Sequence, residues 1–255
     1  MTIDQPCKSV LVTGAARRIG ASIARAYGNA GWHVVLHCHH HADEAVALAA
    51  ALPSAEVIYC DLTDGDAAVA MVEQLAARLA DWRVLVANAS LFEEDSARAL
   101  DPEVADRAMA VNAITPMRMA QAFLALASSS SGRRVIQLTD QKLANPNPDF
   151  FSYSISKYAV DGGMQMLAMA VTGQDRIYRI SPGAILPSHD QTPAEAEVSH
   201  RMNLLGRRTD VTEIADAALF LATAPLASGS QLLVDSGQHL VAQSRDVLYL
   251  ARQED

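Results

Sequence analysis

Short runs of β-branched residues alternate along the chain with longer alanine-rich segments, in which apolar side chains recur at intervals of three and four. The first pattern is typical of strands and the second of helices that bury one face. Seven strands are predicted, at Lys8–Val12, His33–His37, Val57–Cys60, Val84–Ala87, Arg134–Leu138, Arg176–Ile180 and Gln231–Val234. Six helices are predicted, at Ile19–Ala30, Ala42–Leu52, Asp64–Leu79, Pro102–Leu126, Tyr153–Val171 and Val211–Thr223. This alternation predicts one α/β domain over residues 1–255, a doubly wound three-layer sandwich of about seven parallel strands with helices on both faces.

Two irregular stretches, Gln141–Phe151 and Gly183–Arg208, are long enough to be functional, because compact domains rarely contain loops of this length that only connect elements. We expect residues 184–208 to form a lid over a site. The chain ends in a further segment, residues 241–255, whose Val247–Leu250 run is apolar enough to pack. Our hypothesis is that this C-terminal tail docks on a neighbouring subunit and borders its active site.

The composition is that of a water-soluble globular protein, since 50% of the 255 residues are hydrophobic and 19% are charged. The net charge of −9 disfavours nucleic-acid binding, because it repels a polyanion at long range. The three cysteines show no CxxC spacing, which suits a reducing compartment and argues against a disulfide framework. No segment resembles an export signal or a membrane span. We expect a cytoplasmic protein with no nucleic-acid or membrane partner.

The segment after the first predicted strand, Thr13–Gly20, reads TGAARRIG. Its two glycines, Gly14 and Gly20, permit a tight turn and a close approach of the backbone to a ligand. The helix that follows presents free N–H groups that favour a pyrophosphate. Ligands of doubly wound sheets bind at the carboxyl ends of the strands, which is where this turn lies. The alternative is a purely structural turn, because the pattern is not GxGxxG.

The end of the second strand usually carries an acidic residue in NAD-binding proteins, where it holds the ribose. Here the chain reads HCHHH from His37 and has no acid before Asp43. Arg17 together with His39 or His40 can instead face a 2′-phosphate, which favours NADP. Two alternatives are a solvated polar turn and a metal site. We expect no metal, because consecutive strand residues point in opposite directions and no suitably spaced cysteine or carboxylate completes a ligand set.

Tyr153 and Lys157 are four residues apart on a predicted helix, so their side chains project from one face. A cation beside a phenol favours the phenolate, and we expect Lys157 to lower the pKa of Tyr153 so that it exchanges a proton near neutral pH. The alternative is an ordinary surface pair.

Further motifs follow in order along the chain: CDLTD, VANAS, AVNAITP, YSISK, SPG and VDSGQHL. Together with TGAARRIG they resemble the short-chain dehydrogenase/reductase family. The resemblance implies a single Rossmann-like domain, hydride transfer from a nicotinamide cofactor and a homotetramer. It also implies that Asn112 supports a proton relay through Lys157. The residues expected to bind NADP(H) are Gly14, Arg17, Arg18, Ile19, Gly20, His37, His39, His40, Asp61, Leu62, Asn88, Ala89, Ser90, Tyr153, Lys157, Pro182 and Gly183.

One departure from the family pattern concerns the active-site serine, which usually lies thirteen residues before the tyrosine. That position here is Asp140. An ionised carboxylate only accepts hydrogen bonds and repels the oxyanion that develops when a ketone is reduced. A carboxyl group that accepts a hydrogen bond, or is kept protonated by burial, suits a C=N bond in a nitrogen heterocycle.

The same aspartate, with RRIG, LHxH and NASxF, makes the chain similar to the pteridine reductase subgroup, which includes bacterial dihydromonapterin reductases. The resemblance implies NADPH-dependent reduction of a dihydropterin to its tetrahydro form. The implied catalytic residues are Asp140, Tyr153, Lys157 and Asn112, and the implied substrate-binding residues are Arg18, Ser90, Phe92, Asp140 and Tyr153. Phe92 would stack on the pterin, and the alternative for it is a core aromatic.

Two other functions stay open. A reductase of small ketones or 3-oxoacyl thioesters shares every family motif, but this function does not explain the presence of Asp140. A non-catalytic NADP-binding module does not explain the presence of Asn112, Tyr153 and Lys157, because binding alone needs no proton relay.

Overall fold

The computed structural model describes residues 7–188 and 191–252. Its strands are β1 Ser9–Val12, β2 His33–Cys38, β3 Ala55–Tyr59, β4 Trp82–Ala87, β5 Arg134–Leu138, β6 Arg176–Pro182 and β7 Gln231–Val234. Its α-helices are α1 Arg18–Asn29, α2 Ala42–Ala51, α3 Gly65–Arg78, α4 Pro102–Met109, α5 Thr115–Leu126, α6 Phe151–Ala170, α7 Pro193–Ser199, α8 Val211–Leu221 and α9 Val247–Arg252. No helix in these two ranges is long and apolar enough to cross a membrane.

The strands form one sheet in the order β3-β2-β1-β4-β5-β6-β7. Every neighbouring pair is parallel, so all seven carboxyl ends meet at one edge. The strand order reverses between β1 and β4, which opens a crevice there in sheets of this kind. The predicted α/β fold, a Rossmann-like sheet of seven parallel strands, is confirmed.

The core has two layers because alternate residues of a strand face opposite sides of the sheet. Val10 packs with side chains of α1 and α8 in one buried cluster, whereas its neighbour Leu11 packs with α3, α5 and α6 in the other. Both residues are fully buried. Short apolar runs that are buried on both faces explain why the strands lack polar alternation.

The predicted helix Pro102–Leu126 is interrupted by a π-helical turn at Ala110–Ile114. One extra residue in a turn leaves the apolar pattern on either side almost unchanged, so periodicity does not reveal it. Asn112 lies within this turn, and its side-chain amide is fully buried. Two short helices, α7 and α9, also lie in segments where no helix was predicted.

Residues 241–252 of the C-terminal tail pack on their own chain, and docking of the tail on a neighbouring subunit stays a prediction. Residues 241–252 are described, and their main anchor is the buried carboxylate of Asp149. Arg245 Nε lies 2.9 and 3.0 Å from the two oxygens of that carboxylate, and the backbone N–H of Asp246 donates to it at 2.7 Å. Tyr249 stacks on Phe150, with ring centroids 6.0 Å apart. The anchoring carboxylate lies in the same chain, and nothing in the local sequence of the tail reveals that.

Candidate active site

Two adjoining cavities open at the carboxyl edge of the sheet. We call the first, of about 660 Å³, the glycine-turn cavity, and it includes Gly14, His37 and Asp61 in its wall. We call the second, of about 440 Å³, the Asp140 cavity. Seven residues line both, namely Arg17, Arg18, Ile19, Asn88, Ser90, Phe92 and Tyr153.

The predicted site residues converge on these two cavities. Of the seventeen residues expected to bind NADP(H), Lys157, Pro182 and Gly183 line the Asp140 cavity and the others line the glycine-turn cavity. All five residues expected to bind substrate line the Asp140 cavity. Asn112 lines neither.

The glycine turn is shaped by contacts that exclude larger residues. Gly14 has a φ of 63°, in the left-handed region that glycine tolerates without strain. A Cβ on Gly20 would lie 2.2 Å from the backbone oxygen of Gly14, so the first turn of α1 packs directly on the loop before it. Asn88, at the end of β4, donates to Thr13 O at 2.8 Å and ties the loop to the neighbouring strand. The start of α1 therefore faces the glycine-turn cavity at close range, which suits a pyrophosphate.

His37 holds this turn in place. Gly14 N–H donates to its Nδ1 at 3.2 Å, and its Nε2 lies 3.0 Å from Cys60 O, so the ring is the neutral tautomer with the proton on Nε2. Burial lowers the pKa of His37 to about 4. Because His37 carries no charge at neutral pH and both its nitrogens are engaged, it positions the glycine turn and is no candidate for binding a phosphate.

The other histidines at this strand end are exposed. The rings of His39 and His40 lie 3.9 Å apart, and His39 Nδ1 is 3.7 Å from a carboxylate oxygen of Asp61. Arg17 is also exposed at the same cavity. These cationic and polar side chains, with no carboxylate on the strand end itself, match the pattern expected for a 2′-phosphate.

Asp140 and Tyr153 form the centre of the Asp140 cavity. The hydroxyl of Tyr153 donates to Asp140 Oδ2 at 2.6 Å, and the backbone N–H of Lys142 donates to Oδ1 at 2.8 Å. Lys157 Nζ donates to Leu138 O at 3.0 Å and lies 5.5 Å from the centroid of the Tyr153 ring. The β5 end and the α6 face therefore bring three of the four predicted catalytic residues together.

Burial dominates the protonation of these groups. It raises the pKa of Asp140 above its ordinary value and lowers the pKa of Lys157 to about 8. The pKa of Tyr153 lies well above 10, because the phenol is buried and the neighbouring Asp140 carboxylate, which accepts its hydrogen bond, opposes a second negative charge. The expectation that Lys157 lowers the pKa of Tyr153 is therefore wrong for this structure. Asp140 is in direct contact with the hydroxyl, and burial acts in the same direction.

Asn112 acts at a distance from the cavity. Its Oδ1 accepts from Leu91 N at 2.7 Å and from Ser90 Oγ at 3.1 Å. Its Nδ2 donates to Leu91 O at 2.9 Å and to Ser156 Oγ at 3.0 Å. The buried amide thus fixes the loop after β4 against α6, and the side chain is a positioning group for Ser90.

Phe92 is 38% exposed and lies at the mouth of both cavities, so it is not a core aromatic. One face stacks on Phe150, with centroids 4.1 Å apart and an angle of 24°. Its ring meets Tyr153 edge-on at 4.7 Å. A planar ligand therefore has only the face of Phe92 opposite Phe150 to stack on.

Two distant segments supply further walls of the Asp140 cavity, and sequence reasoning predicted the first of them as a lid without naming its lining residues. The predicted lid, residues 184–208, contributes Ala184, Ile185, Leu186, Ser188, Gln191, Ser199 and His200 to the Asp140 cavity. Arg18 donates to Pro187 O at 2.9 Å and joins the start of α1 to this segment. The tail contributes Asp246, Val247 and Leu248, and Asp246 lies 3.3 Å from the buried ammonium of Lys142. The apolar run in the tail was the only signal for this second wall.

The known proteins that are similar to this chain include pterin reductases and, at comparable identity, a D-threitol dehydrogenase and a putative ketoacyl reductase. A family model described as Enoyl-(Acyl carrier protein) reductase matches residues 14–239. Pteridine reductase 1 of Leishmania tarentolae is 28% identical, over 94% of this chain and 99% of that protein. Dihydromonapterin reductase of Citrobacter koseri is 23% identical, over 91% of this chain and 96% of that protein. The crystal structure of FolM Alternative dihydrofolate reductase 1 from Brucella canis, complexed with NADP, has a TM-score of 0.87 and 34% identity, covering 94% of this chain and 96% of that one.

Proposed function

Because the chain belongs to the short-chain dehydrogenase/reductase family, as its motifs predicted, we propose that it is an NADPH-dependent reductase of a dihydropterin. The substrate is of the dihydrobiopterin, dihydromonapterin or dihydrofolate type, and the product is the tetrahydro form. The names of the similar proteins support a pterin substrate, and NADP in the similar crystal structure supports the cofactor. The protein acts in the cytoplasm.

The observation that carries the proposal is the hydrogen bond of 2.6 Å between Tyr153 and Asp140. Reduction of the N5=C6 bond of a 7,8-dihydropterin places a hydride on C6 and a proton on N5. Asp140 has a raised pKa and Tyr153 keeps its proton at neutral pH, so the pair holds a proton at the cavity wall for transfer to N5. A ketone reductase needs a neutral donor to an oxyanion at this position, and a carboxylate opposes that charge.

The residues present also fit the cofactor. When bound, NADPH supplies the hydride. The glycine turn and the start of α1 would hold its pyrophosphate, and Arg17 with His39 or His40 would face the 2′-phosphate. Lys157 would hold the nicotinamide ribose, and Phe92 would stack on the pterin. Lys157 lies beside the Tyr153 ring, so one side chain serves both the cofactor and the catalytic pair.

Turnover by the purified protein tests the proposal. NADPH oxidation is followed at 340 nm with dihydrobiopterin, dihydromonapterin and dihydrofolate in turn, and with a small ketone and a 3-oxoacyl thioester for comparison. We expect turnover with at least one dihydropterin. Turnover of the carbonyl compounds alone would reject the proposal in favour of the ketone reductase.

The nucleotide preference provides a specific prediction. Arg17→Ala is expected to raise the Kd of NADPH by about tenfold, because one charge-assisted phosphate contact is lost, and to leave the weaker binding of NADH unchanged. Nucleotide fluorescence titration measures both constants. Arg25→Ala, on the exposed face of the helix α1 that follows Arg17, is the matched control. An equal loss of affinity for NADH and NADPH would contradict the assignment of Arg17 to the 2′-phosphate.

The pH dependence of turnover follows from Lys157. Its pKa of about 8 predicts that kcat/KM falls as pH rises through 8, because Lys157 loses the positive charge with which it would hold the nicotinamide ribose. Deprotonation of Lys157 does not destabilise the fold, so unfolding caused by Lys157 cannot explain a fall in kcat/KM above pH 8. The unfolded chain binds more protons at Lys157 between its folded pKa and its ordinary value, so the contribution of Lys157 to stability rises with pH there. Initial rates from pH 6 to 9.5, with thermal unfolding over the same range, check this. A rate that stays constant to pH 9.5 would refute it.

A homotetramer is part of the proposal. The outer face of α6 exposes Ile155, Met166 and Met169, the last of them 87% exposed. An apolar row on a long helix is typical of a subunit interface. Light scattering on the purified protein measures the mass, and a monomer at micromolar concentration would reject this part.

A further inference from the structure

Phe150, the residue directly before α6, has a backbone conformation that bulky residues rarely adopt. Its φ of 50° and ψ of 54° lie in the left-handed region, where a side chain with a Cβ is strained. The residue is buried and lies three positions before Tyr153. Strain of this kind persists only where the surrounding contacts hold the residue in place, and it concentrates around active sites.

The Phe150 ring belongs to a row of three stacked side chains, Phe92, Phe150 and Tyr249, which we call the aromatic row. The ring centroid of Phe150 lies 4.1 Å from that of Phe92 and 6.0 Å from that of Tyr249, and the ring planes in both pairs differ by 24°. Phe92 follows β4, whereas Tyr249 lies on α9 in the tail. Phe92 is partly exposed at the mouth of both cavities, and the other two rings are buried. The tail therefore supports, through Phe150, the ring on which a planar ligand can stack.

A hydrogen bond connects Tyr249 to the segment of Phe92 a second time. The Tyr249 hydroxyl donates to Glu94 Oε1 at 2.5 Å, and Glu94 lies two residues after Phe92. Burial and the Glu94 carboxylate raise the pKa of Tyr249, so the hydroxyl keeps its proton and stays a donor at neutral pH. One side chain thus restrains the Phe92 segment through both its ring and its hydroxyl.

Tyr249 is fixed in turn by the anchor of the tail. The guanidinium of Arg245 lies over the Tyr249 ring, 4.7 Å from its centroid, and Arg245 Nε binds both carboxylate oxygens of Asp149. Asp149 directly precedes Phe150 in the chain, and the backbone N–H of Tyr249 donates to Asp246 O at 3.0 Å. The same anchor therefore fixes both buried members of the aromatic row.

We propose that Tyr249 is a positioning residue for substrate binding, which holds Phe92 through Phe150 and Glu94 in the orientation that receives the substrate ring. The inference rests on the proposed function, in which Phe92 stacks on the pterin. Stacking between planar rings depends on their mutual orientation, and a partly exposed ring that must first be ordered binds more weakly than one already held in place. Tyr249 is not part of the wall of either cavity, so we expect it to act on the substrate through Phe92.

A double-mutant cycle between Tyr249 and Phe92 tests the proposal. Tyr249→Leu, Phe92→Leu and the double variant are compared with the wild type in kcat and KM for a dihydropterin. Tyr249→Phe, which keeps the ring and removes only the bond to Glu94, is taken through the same cycle. Tyr59→Leu, at an exposed position on β3 outside both cavity walls, is the matched control. Thermal unfolding and NADPH binding, measured by fluorescence, report that each variant is folded.

Tyr249→Leu is expected to raise KM for the dihydropterin by about tenfold, while kcat changes less than about threefold and the Kd of NADPH stays the same. A ring that is no longer held in place weakens the binding of the substrate and of the transition state alike. Tyr249→Phe is expected to raise KM by about threefold, since only one hydrogen bond is lost. In the Phe92→Leu background, either change at Tyr249 is expected to raise KM by less than about 1.5-fold, because the ring through which Tyr249 acts is absent.

An equal effect of the Tyr249 change with and without Phe92 would overturn the proposal, because Tyr249 would then act independently of that ring. A loss of kcat or of NADPH affinity as large as the rise in KM would show a general structural role and would also overturn it. If Tyr249→Leu does not fold, the cycle with Tyr249→Phe decides, and an unchanged KM in that variant counts against the proposal. Absence of wild-type turnover on every dihydropterin would instead remove the proposed function, and the role of Tyr249 with it.

Discussion

Asp140→Ser is expected to lower kcat/KM for a dihydropterin by about 10²- to 10³-fold, in the range of general acid–base contributions. Asp140 accepts a hydrogen bond of 2.6 Å from the Tyr153 hydroxyl, and burial raises its pKa. The two side chains therefore share the proton that N5 receives. Serine places a hydroxyl where the carboxyl group was. That hydroxyl is not acidic enough to supply the proton, and it carries no negative charge to stabilise a protonated ring nitrogen. The substitution restores the usual residue of the family, so turnover of a small ketone is expected to rise.

Steady-state rates with both substrate classes measure the effect, and NADPH binding confirms that the nucleotide site is intact. Asp106→Ser, an exposed carboxylate on α4, is the matched control and is expected to behave as wild type. A variant that reduces dihydropterins at the wild-type rate would show that the carboxyl group takes no part in the reaction. A fall in kcat/KM for both dihydropterins and ketones would show that Asp140 does not determine which substrate class the protein reduces.

Tyr153→Phe is expected to reduce kcat by about 10³-fold while KM and the Kd of NADPH change little. The substitution removes the hydroxyl that donates to Asp140 and leaves the ring that meets Phe92 edge-on at 4.7 Å. Packing around the site is therefore preserved, and the loss falls on proton transfer. Asp140 then keeps only the backbone N–H of Lys142 as a donor, and its pKa rises further because the bond that stabilised its charged form is gone.

Single-turnover rates at saturating NADPH separate the chemical step from binding. Tyr158→Phe is a close control, because Tyr158 lies on the same helix and its hydroxyl donates to Leu143 O at the surface. Comparable losses in the two variants would indicate a general effect on α6 rather than a catalytic hydroxyl. A Tyr153→Phe variant with wild-type kcat would leave Asp140 or water as the sole proton source.

Local pattern was sufficient for the fold. The two periodicities placed all seven strands to within about two residues, because burial on both faces makes the central strands short apolar runs. Pattern was insufficient for the turn that contains Asn112. A π turn adds one residue to a helix. The Asn112 side chain in this turn forms hydrogen bonds with residues that lie 21 and 44 positions away, which local pattern does not reveal.

By itself, the sequence determined which chemical groups meet, since Asp140, Tyr153 and Lys157 lie at the carboxyl edge of the sheet by strand order and helix spacing. Only the tertiary structure decided how they are charged. Depth of burial and a contact of 2.6 Å place the Tyr153 proton under the control of Asp140 rather than Lys157, and neither quantity is a function of spacing along the chain. The same holds for the tail, whose apolar run predicted packing but whose partner, Asp149, lies about a hundred residues earlier. Contacts between distant segments depend on the assembled shape, which local preferences constrain but do not specify.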